Sequence, residues 1–309
     1  MSAPPTSVPE DARGAAIALG NFDGVHRGHQ AVIESARLVA EEHGIALGAA
    51  VFEPHPRRFF KPDTPPFRLQ SNAQRARALG DCGVEEVFEL PFDEAMAQSS
   101  DREFAERVLK DALGAAHVSV GADFRFGKGR SGDVASLTAL GGELGFTVAG
   151  VEPVNEDGAK ISSTAIREAI AAGGMTRATE MLTRPWAIEG VVLKGFQRGR
   201  DFGFPTANLS LGEYVRPRLG VYAVRVDTGD GVFLPGAASV GVNPTVGALP
   251  EPVLEAHLFD FSGDLYGKTI EVELAAFLRD EAKFDDVNAL KRQMTQDVIN
   301  ARAALAKLG

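Results

Sequence analysis

Apolar positions change their period near residue 184, and the change separates two kinds of structure. Upstream, short apolar runs alternate with stretches of helical period. Residues 15–20 form one such run, and residues 30–43 set Val32, Ala36, Val39 and Ala40 on one helical face with Gly44 as the stop. Residues 45–52, 87–90, 117–120 and 146–151 are further apolar runs of strand length. Ser71-x-x-Gln74 and Ser100-x-x-Glu103 have the form of capping boxes, and the second opens a helix predicted to end near Gly114. This alternation predicts a Rossmann-like α/β domain, a parallel sheet covered by helices, with ligands at the carboxyl ends of the strands.

Downstream, residues 190–193, 221–226, 237–240, 254–259 and 270–278 are short, β-branched or alternating, and broken by Gly, Pro and Asp. They predict an antiparallel barrel or compact sandwich. Residues 288–308 read as a closing helix that buries Leu290, Met294, Ile299, Ala303 and Leu305. The expected division is a disordered N-terminus over 1–14, an α/β domain over 15–184 and a β domain over 185–309.

Composition narrows the partners. A length of 309 residues is enough for two proper cores. The formal charge of −10 argues against a broad nucleic-acid surface, which needs excess Lys and Arg, but not against small anions, which need only local groups. The single cysteine, Cys82, excludes an internal disulfide and is expected to be a small buried apolar residue. No apolar run reaches the length of a membrane span, and the first 14 residues lack the apolar core of a secretory signal. The expectation is a cytoplasmic protein of small-molecule partners, with no membrane and no nucleic acid; a homo-oligomer is left open.

Chemistry concentrates first in Gly20-Asn-Phe-Asp-Gly-Val-His-Arg-Gly-His29, between a strand and its helix. Gly20 and Gly24 permit tight backbone geometry, and Gly28 permits close approach to the helix start. His26 and His29 are three apart, so both can face the helix N-terminus, where free N–H groups and the dipole favour phosphate. Imidazoles there can donate to charge developing on an attacked phosphate. The plainer alternative makes them cap and surface residues. Pro54 and Pro56 stiffen the turn that holds His55. Phe60 and Phe126 suit stacking on a planar ligand and would serve equally as core. Ser162, Ser163 and Thr164 open a helix with Arg167 one turn on, either a phosphate cradle with an anion clamp or an ordinary cap with a solvated Arg.

A second concentration lies at 190–209, GVVLKGFQRGRDFGFPTANL, in a chain that has no Gly-x4-Gly-Lys-Ser/Thr loop. Gly195, Gly199 and Gly203 make a close-approach loop rimmed by Lys194, Arg198 and Arg200. Thr206 and Asn208 then offer a hydroxyl and a carboxamide oxygen, hard donors suited to Mg²⁺. A Gly-rich hairpin with a surface Thr and Asn is the alternative. Glu255 reads as an outward position of an alternating strand, with His257 on the same face in a structural role.

The first segment resembles the adenylylation motif of the bacterial bifunctional riboflavin kinase/FAD synthetase family. The resemblance continues through Phe52-Glu-Pro-His-Pro56, Gly121-Ala-Asp-Phe-Arg-Phe-Gly127 and Ile161-Ser-Ser-Thr-Ala-Ile-Arg167. Gly199-Arg-x-x-Gly-Phe-Pro-Thr-Ala-Asn-Leu209 is similar to the riboflavin-kinase motif. Gly220-Val-Tyr-Ala223, Gly241-Val-Asn-Pro-Thr245, Glu255-Ala-His-Leu-Phe-Asp260, Asp264-Leu-Tyr-Gly267 and Leu278-Arg-Asp-Glu-x-Lys-Phe284 extend it. The resemblance implies a nucleotidyltransferase domain followed by a kinase β-barrel with a C-terminal helix. It implies ATP-dependent phosphorylation of riboflavin to FMN, then adenylylation of FMN to FAD with release of pyrophosphate, with Mg²⁺ accompanying ATP.

Carried over residue by residue, the adenylylation nucleotide falls to Gly20, Phe22, Asp23, Gly24, His26, His29, Ser162, Ser163, Thr164 and Arg167, and its flavin to His55, Phe60, Asp123 and Phe126. The kinase nucleotide falls to Lys194, Gly195, Gly199, Arg200, Pro205, Thr206 and Asn208, its metal to Thr206 and Asn208, and its general base to Glu255. Ala165 and Asn243 stand where many members have Arg, and Asp123 where some have Asn. Two competing readings are a kinase whose first domain only binds ligand, and a non-catalytic flavin carrier. The first predicts loss of His26 or His29, the second no need for Thr206, Asn208 or Glu255; all five are present.

Overall fold

The computed structural model describes residues 13–194, 206–242 and 252–308. Gly195, Gly199, Arg200, Pro205 and Asn243 of the motifs above lie outside the described residues, as does all but the end of the expected N-terminal tail. The described chain divides into two compact units, one of residues 13–65 and 72–162, the other of 66–71 and 163 onward.

The first unit is a parallel sheet in the order β3(Glu86–Pro91), β2(Leu47–Glu53), β1(Ala16–Leu19), β4(His117–Gly121), β5(Thr147–Val151). Ala16 lies opposite Leu47 on one side and His117 on the other. As the central strand β1 is buried at every position, which is why its sequence is a continuous apolar run rather than an alternating one. One face packs Ile17, Leu19, Phe52 and Leu90 against Phe104, Leu109 and Leu137; the other packs Ala16, Ala18 and Val51 against Ile33, Ala36 and Leu79.

Helix α1(Arg27–His43) begins three residues before the periodicity predicts, because His26 caps it. It ends on Gly44, whose φ of 63° is the left-handed conformation a glycine adopts without steric cost. Ser100 and Glu103 form the reciprocal capping box, and the helix they open runs as α-helix over Asp101–Phe104 and continues as π-helix over Ala105–Ala112. In chain order the other helices of this unit are α2(Pro56–Phe60), α3(Asn72–Gly80), α4(Glu94–Gln98) and α6(Val134–Leu144), α5 being Asp101–Phe104. Helix α6 escapes prediction because two adjacent glycines interrupt its period. Packing explains one of them: a Cβ on Gly141 would meet the Phe146 carbonyl oxygen at 2.6 Å. A hairpin, β6(Asn155–Glu156) with β7(Ala159–Lys160), is also absent from the sequence reading.

A polar chain crosses the sheet beneath α1. His117, buried, places Nδ1 2.7 Å from Thr147 Oγ1 and Nε2 3.0 Å from Ser119 Oγ, which donates to Ser35 Oγ at 2.9 Å. Burial, and to a smaller extent His43, lowers the pKa of His117. The unfolded chain therefore takes up this proton before the folded chain does. Stability is complete above the ordinary histidine value of about 6.5 and declines as pH falls from there toward the lower folded value. Thermal unfolding of this unit should show a smaller loss between pH 7.5 and 5 in His117→Asn than in the parent. Equal slopes would remove His117 as the cause.

In the second unit, α7(Ser163–Ala172) and α8(Met175–Leu182) pack as a pair ahead of the sheet. Residues 66–71 are tied to this unit: Trp186 Nε1 donates to the Leu69 carbonyl at 2.7 Å, and Arg184 to Gln70 Oε1 at 3.0 Å. The sheet is antiparallel throughout, in the order β8(Ala187–Val191), β13(Thr269–Arg279), β10(Gly220–Asp227), β11(Phe233–Val242), β12(Pro252–Leu258), β9(Ala207–Ser210). A bridge from Leu193 to Asn208 joins its ends into a nearly closed barrel. Tyr222, Val224, Val240, Leu254, Ala256 and Leu209 are buried as its core, and closure leaves few exposed strand edges.

Helix α9(Val287–Leu305) lies on the opposite face, over Ala223, Ala237 and Phe259. Its buried side agrees with the expected one at Leu305, with Leu290 and Met294 half-buried, and differs at Ile299 and Ala303. Ala301 is fully buried, with Val298, Ala304 and Leu305 beside it, whereas Ile299 is 55% exposed and Ala303 also faces solvent. The phase follows the buried Asp297, which a half-buried Arg279 holds: Arg279 Nε and Nη2 donate to the two Asp297 oxygens at 2.8 and 2.6 Å, and Gln293 adds a third bond. An aspartate on the inner face is invisible to an apolar count.

Candidate functional sites

In the first unit the strand order reverses between β1 and β4, the position where doubly wound sheets open a crevice at the strand carboxyl ends. The turn after β1 enters that crevice. Phe22 and Val25 hold positive φ of 49° and 42°, which costs energy in non-glycine residues and is retained here by burial of both side chains. His26 Nδ1 accepts the backbone N–H of His29 at 3.3 Å, which makes Nε2 the protonated nitrogen of a neutral His26 ring. The two imidazoles stack with centroids 3.6 Å apart, and Phe22 meets His29 edge-on at 5.3 Å. A Cβ at Gly28 would lie 3.1 Å from the His26 ring, tighter than most such contacts, so glycine leaves the ring room; the Ile161 carbonyl oxygen would be 3.5 Å from it. His26, His29 and the segment leading to Ser162 thus converge at the N-terminus of α1, which carries no acidic residue in its first turn. Arg27 pairs with Glu156 on the β6–β7 hairpin.

A cavity of about 780 Å³ opens beside this turn, fed by the ends of four strands: Asn21 after β1, Phe52 and His55 from β2, Phe92 after β3, and Asp123 to Arg130 after β4. Its walls are aromatic, with Phe92 packed edge-on against Phe52 at 5.7 Å and Phe60 at 5.6 Å. His55 caps α2, accepting from Arg57 N–H at 3.0 Å. Of the two aromatics singled out from sequence, Phe60 is 64% exposed at the rim. Phe126 is buried against Phe104 and stacked on Phe124 at 5.7 Å, a core residue that also lines the cavity. Asp123 pairs with Lys160, whose hydrogen bond holds its carboxyl below the usual carboxylate range against partial burial. Phe52, Phe92 and Phe124 were not among the expected flavin contacts, although Phe52 ends the predicted run 45–52 and Phe52 and Phe124 lie within the motifs above.

Ser163, Thr164 and Arg167 belong to the second unit, the first two opening α7 and Arg167 one turn further on. Arg167 Nε donates to the Phe67 carbonyl at 2.7 Å and its guanidinium covers the Phe67 ring.

The barrel assembles the second site by strand register. Glu255 on β12 lies directly opposite Asn208 on β9 and Ser239 on β11, so the three side chains share a face. His257 is on that same face beside Phe259, at 5.9 Å between ring centroids. Asn208 is nearly buried, and its Nδ2 donates to the Thr206 carbonyl at 3.4 Å. Thr206 lines a cavity of about 300 Å³ with Val192, Leu258, Asp264 and Tyr266. Lys194 is exposed at the end of the described segment.

An α/β unit with a histidine pair at a helix start and a six-stranded barrel with Thr206, Asn208 and Glu255 at one seam describe a two-domain transferase. Residues 8–165 match a family model described as FAD synthetase, and residues 182–305 one described as riboflavin kinase. Two bifunctional riboflavin kinase/FMN adenylyltransferases are similar along their length. The one from Pseudomonas fluorescens is 44% identical, over 95% of this chain and 94% of its own. The one from Escherichia coli K12 is 39% identical, over 94% and 92%. A crystal structure named as a macrolide-efflux protein from Streptococcus pneumoniae superposes with a TM-score of 0.86 at 33% identity, over 96% of both chains. The chain belongs to the bifunctional riboflavin kinase/FMN adenylyltransferase family. It is a transferase that uses ATP to phosphorylate riboflavin to FMN and to adenylylate FMN to FAD. Among the described residues no helix is long and apolar enough to cross a membrane.

Proposed function

We propose that adenylylation takes place at the turn and helix start of the first unit and phosphorylation at the barrel seam, with the functional boundary near residue 184. The observation that carries the first assignment is the stacked His26–His29 pair at the N-terminus of α1, beside an aromatic cavity. The nucleotide phosphates would meet Gly20, Phe22, Asp23, Gly24, His26, His29 and Ser162 of this unit. The FMN ring would enter the cavity among His55, Phe60, Asp123 and Phe126. As the FMN phosphate attacks the α-phosphate of ATP, the imidazoles donate to the developing charge and pyrophosphate leaves.

In the barrel, Glu255 would accept the proton of the riboflavin terminal hydroxyl as the γ-phosphoryl transfers. Lys194, Gly195, Gly199, Arg200 and Pro205 would cradle the nucleotide with Thr206 and Asn208. The last two also suit Mg²⁺: both present hard oxygens, and the bond from Asn208 Nδ2 to Thr206 leaves the carboxamide oxygen for a cation. Bound there, Mg²⁺ would neutralise phosphate charge. Small molecules in a cytoplasmic setting, without nucleic acid or membrane, are the proposed partners; the charge of −10 agrees.

The test is chromatography of flavins after incubation with riboflavin, ATP and Mg²⁺. FMN should appear first and FAD after it, and excess EDTA should stop both. FMN alone would favour a silent first unit, and bound riboflavin with no product would favour a carrier.

A further inference from the structure

Arg75 stands out as a guanidinium only 2% exposed, on the inner face of α3 and outside every motif identified above. A buried cation needs paired charge, and its partners are informative. Nη2 lies 3.3 Å from Glu53 Oε2 and 3.3 Å from Glu89 Oε1, at the carboxyl-terminal ends of β2 and β3. Side chains alternate across a strand, so Glu53 sits behind the sheet while Phe52, one residue earlier, faces the aromatic cavity.

Glu53 is also the joint from which the cavity is built. Its carbonyl accepts the backbone N–H of Phe92 at 3.0 Å, and its chain continues through Pro54 into His55, the cap of α2. Fixing the Glu53 carboxylate therefore fixes two walls at once, the Phe92 side and the His55–Phe60 side.

We propose that Arg75 is a positioning residue for adenylylation: it holds Glu53 from behind the sheet and so keeps the Phe92 and His55 walls at the spacing that accepts the planar flavin of FMN. The proposal rests on the placement of flavin in this cavity. Glu89 is the lesser partner, because its carboxylate is half exposed and an exposed pair contributes little.

The experiment is steady-state kinetics of FAD formation from FMN, with FMN formation from riboflavin measured on the same preparations. Glu53→Gln and Arg75→Met should each raise KM for FMN by about tenfold, since displacing a binding wall by a fraction of an ångström is costly to a fitted substrate. KM for ATP and the kinase rate should stay near the parent values. Arg75→Lys keeps the charge and should recover part of the effect, and Glu89→Gln should do little. If Arg75→Met fails to fold, Glu53→Gln and Arg75→Lys still decide. An unchanged KM for FMN in both, or an equal loss of affinity for FMN and ATP, overturns the proposal. Phe92→Ala separates the two ideas. If it too leaves KM for FMN unchanged, the flavin placement fails; if it raises KM while Glu53→Gln does not, only the positioning role fails.

Discussion

Replacing Glu255 by Gln is expected to stop FMN formation from riboflavin while FAD formation from supplied FMN continues. Strand β12 buries Leu254, Ala256 and Leu258 in the barrel core and leaves Glu255 on the other face, opposite Asn208. Glutamine keeps the shape and the hydrogen-bonding reach of the side chain, so neither the strand register nor the barrel core is disturbed. What it loses is the ability to take a proton. Removing a general base lowers a rate by about two to four orders of magnitude, which puts the variant near the background of the assay. FAD formation serves as the internal control, because it uses the other unit. Survival of both activities would remove Glu255 from the role of base, and loss of both would indicate misfolding.

The mirror experiment is His29→Ala. The imidazole at the second position of the pair stacks on His26 at the start of α1, where the helix dipole favours anions. Deleting a donor aimed at developing phosphate charge lowers kcat by roughly two to three orders of magnitude. The backbone N–H of His29 stays in place for the His26 cap, so α1 should still start at the same residue. FAD formation should therefore collapse while riboflavin phosphorylation stays intact, read as FMN that accumulates without being consumed. Unchanged FAD output would sink the assignment. His26→Ala is a less clean change, because it removes the cap together with the imidazole and so mixes a structural loss of about 1 kcal/mol into the result.

The sequence by itself determined the class of each half. A continuous apolar run such as Ala16–Leu19 describes a strand buried on both faces, and the Ser100–Glu103 box and Gly44 are local signals that act through their own backbone hydrogen bonds. Such motifs can be read locally because the residues that satisfy them are three or four positions apart. The histidine pair was legible for the same reason.

Tertiary structure alone decided the rest. Glu255 reads from sequence as an outward-facing carboxylate, and only the pairing of β12 with β9 places it beside Asn208, 47 positions away. The aromatic cavity draws on the ends of four strands, so no single stretch of chain contains it. The inner face of α9 was misjudged at Ile299 and Ala303 because its phase follows Asp297, which is buried only in company with Arg279. Arg75 was passed over on the same ground. A charged side chain is assigned to solvent unless its counter-charges are known, and those come from strands that the sequence does not show to be neighbours. Local hydrogen bonds and periodicity are encoded within a few residues, whereas charge compensation and strand register depend on which distant segments meet.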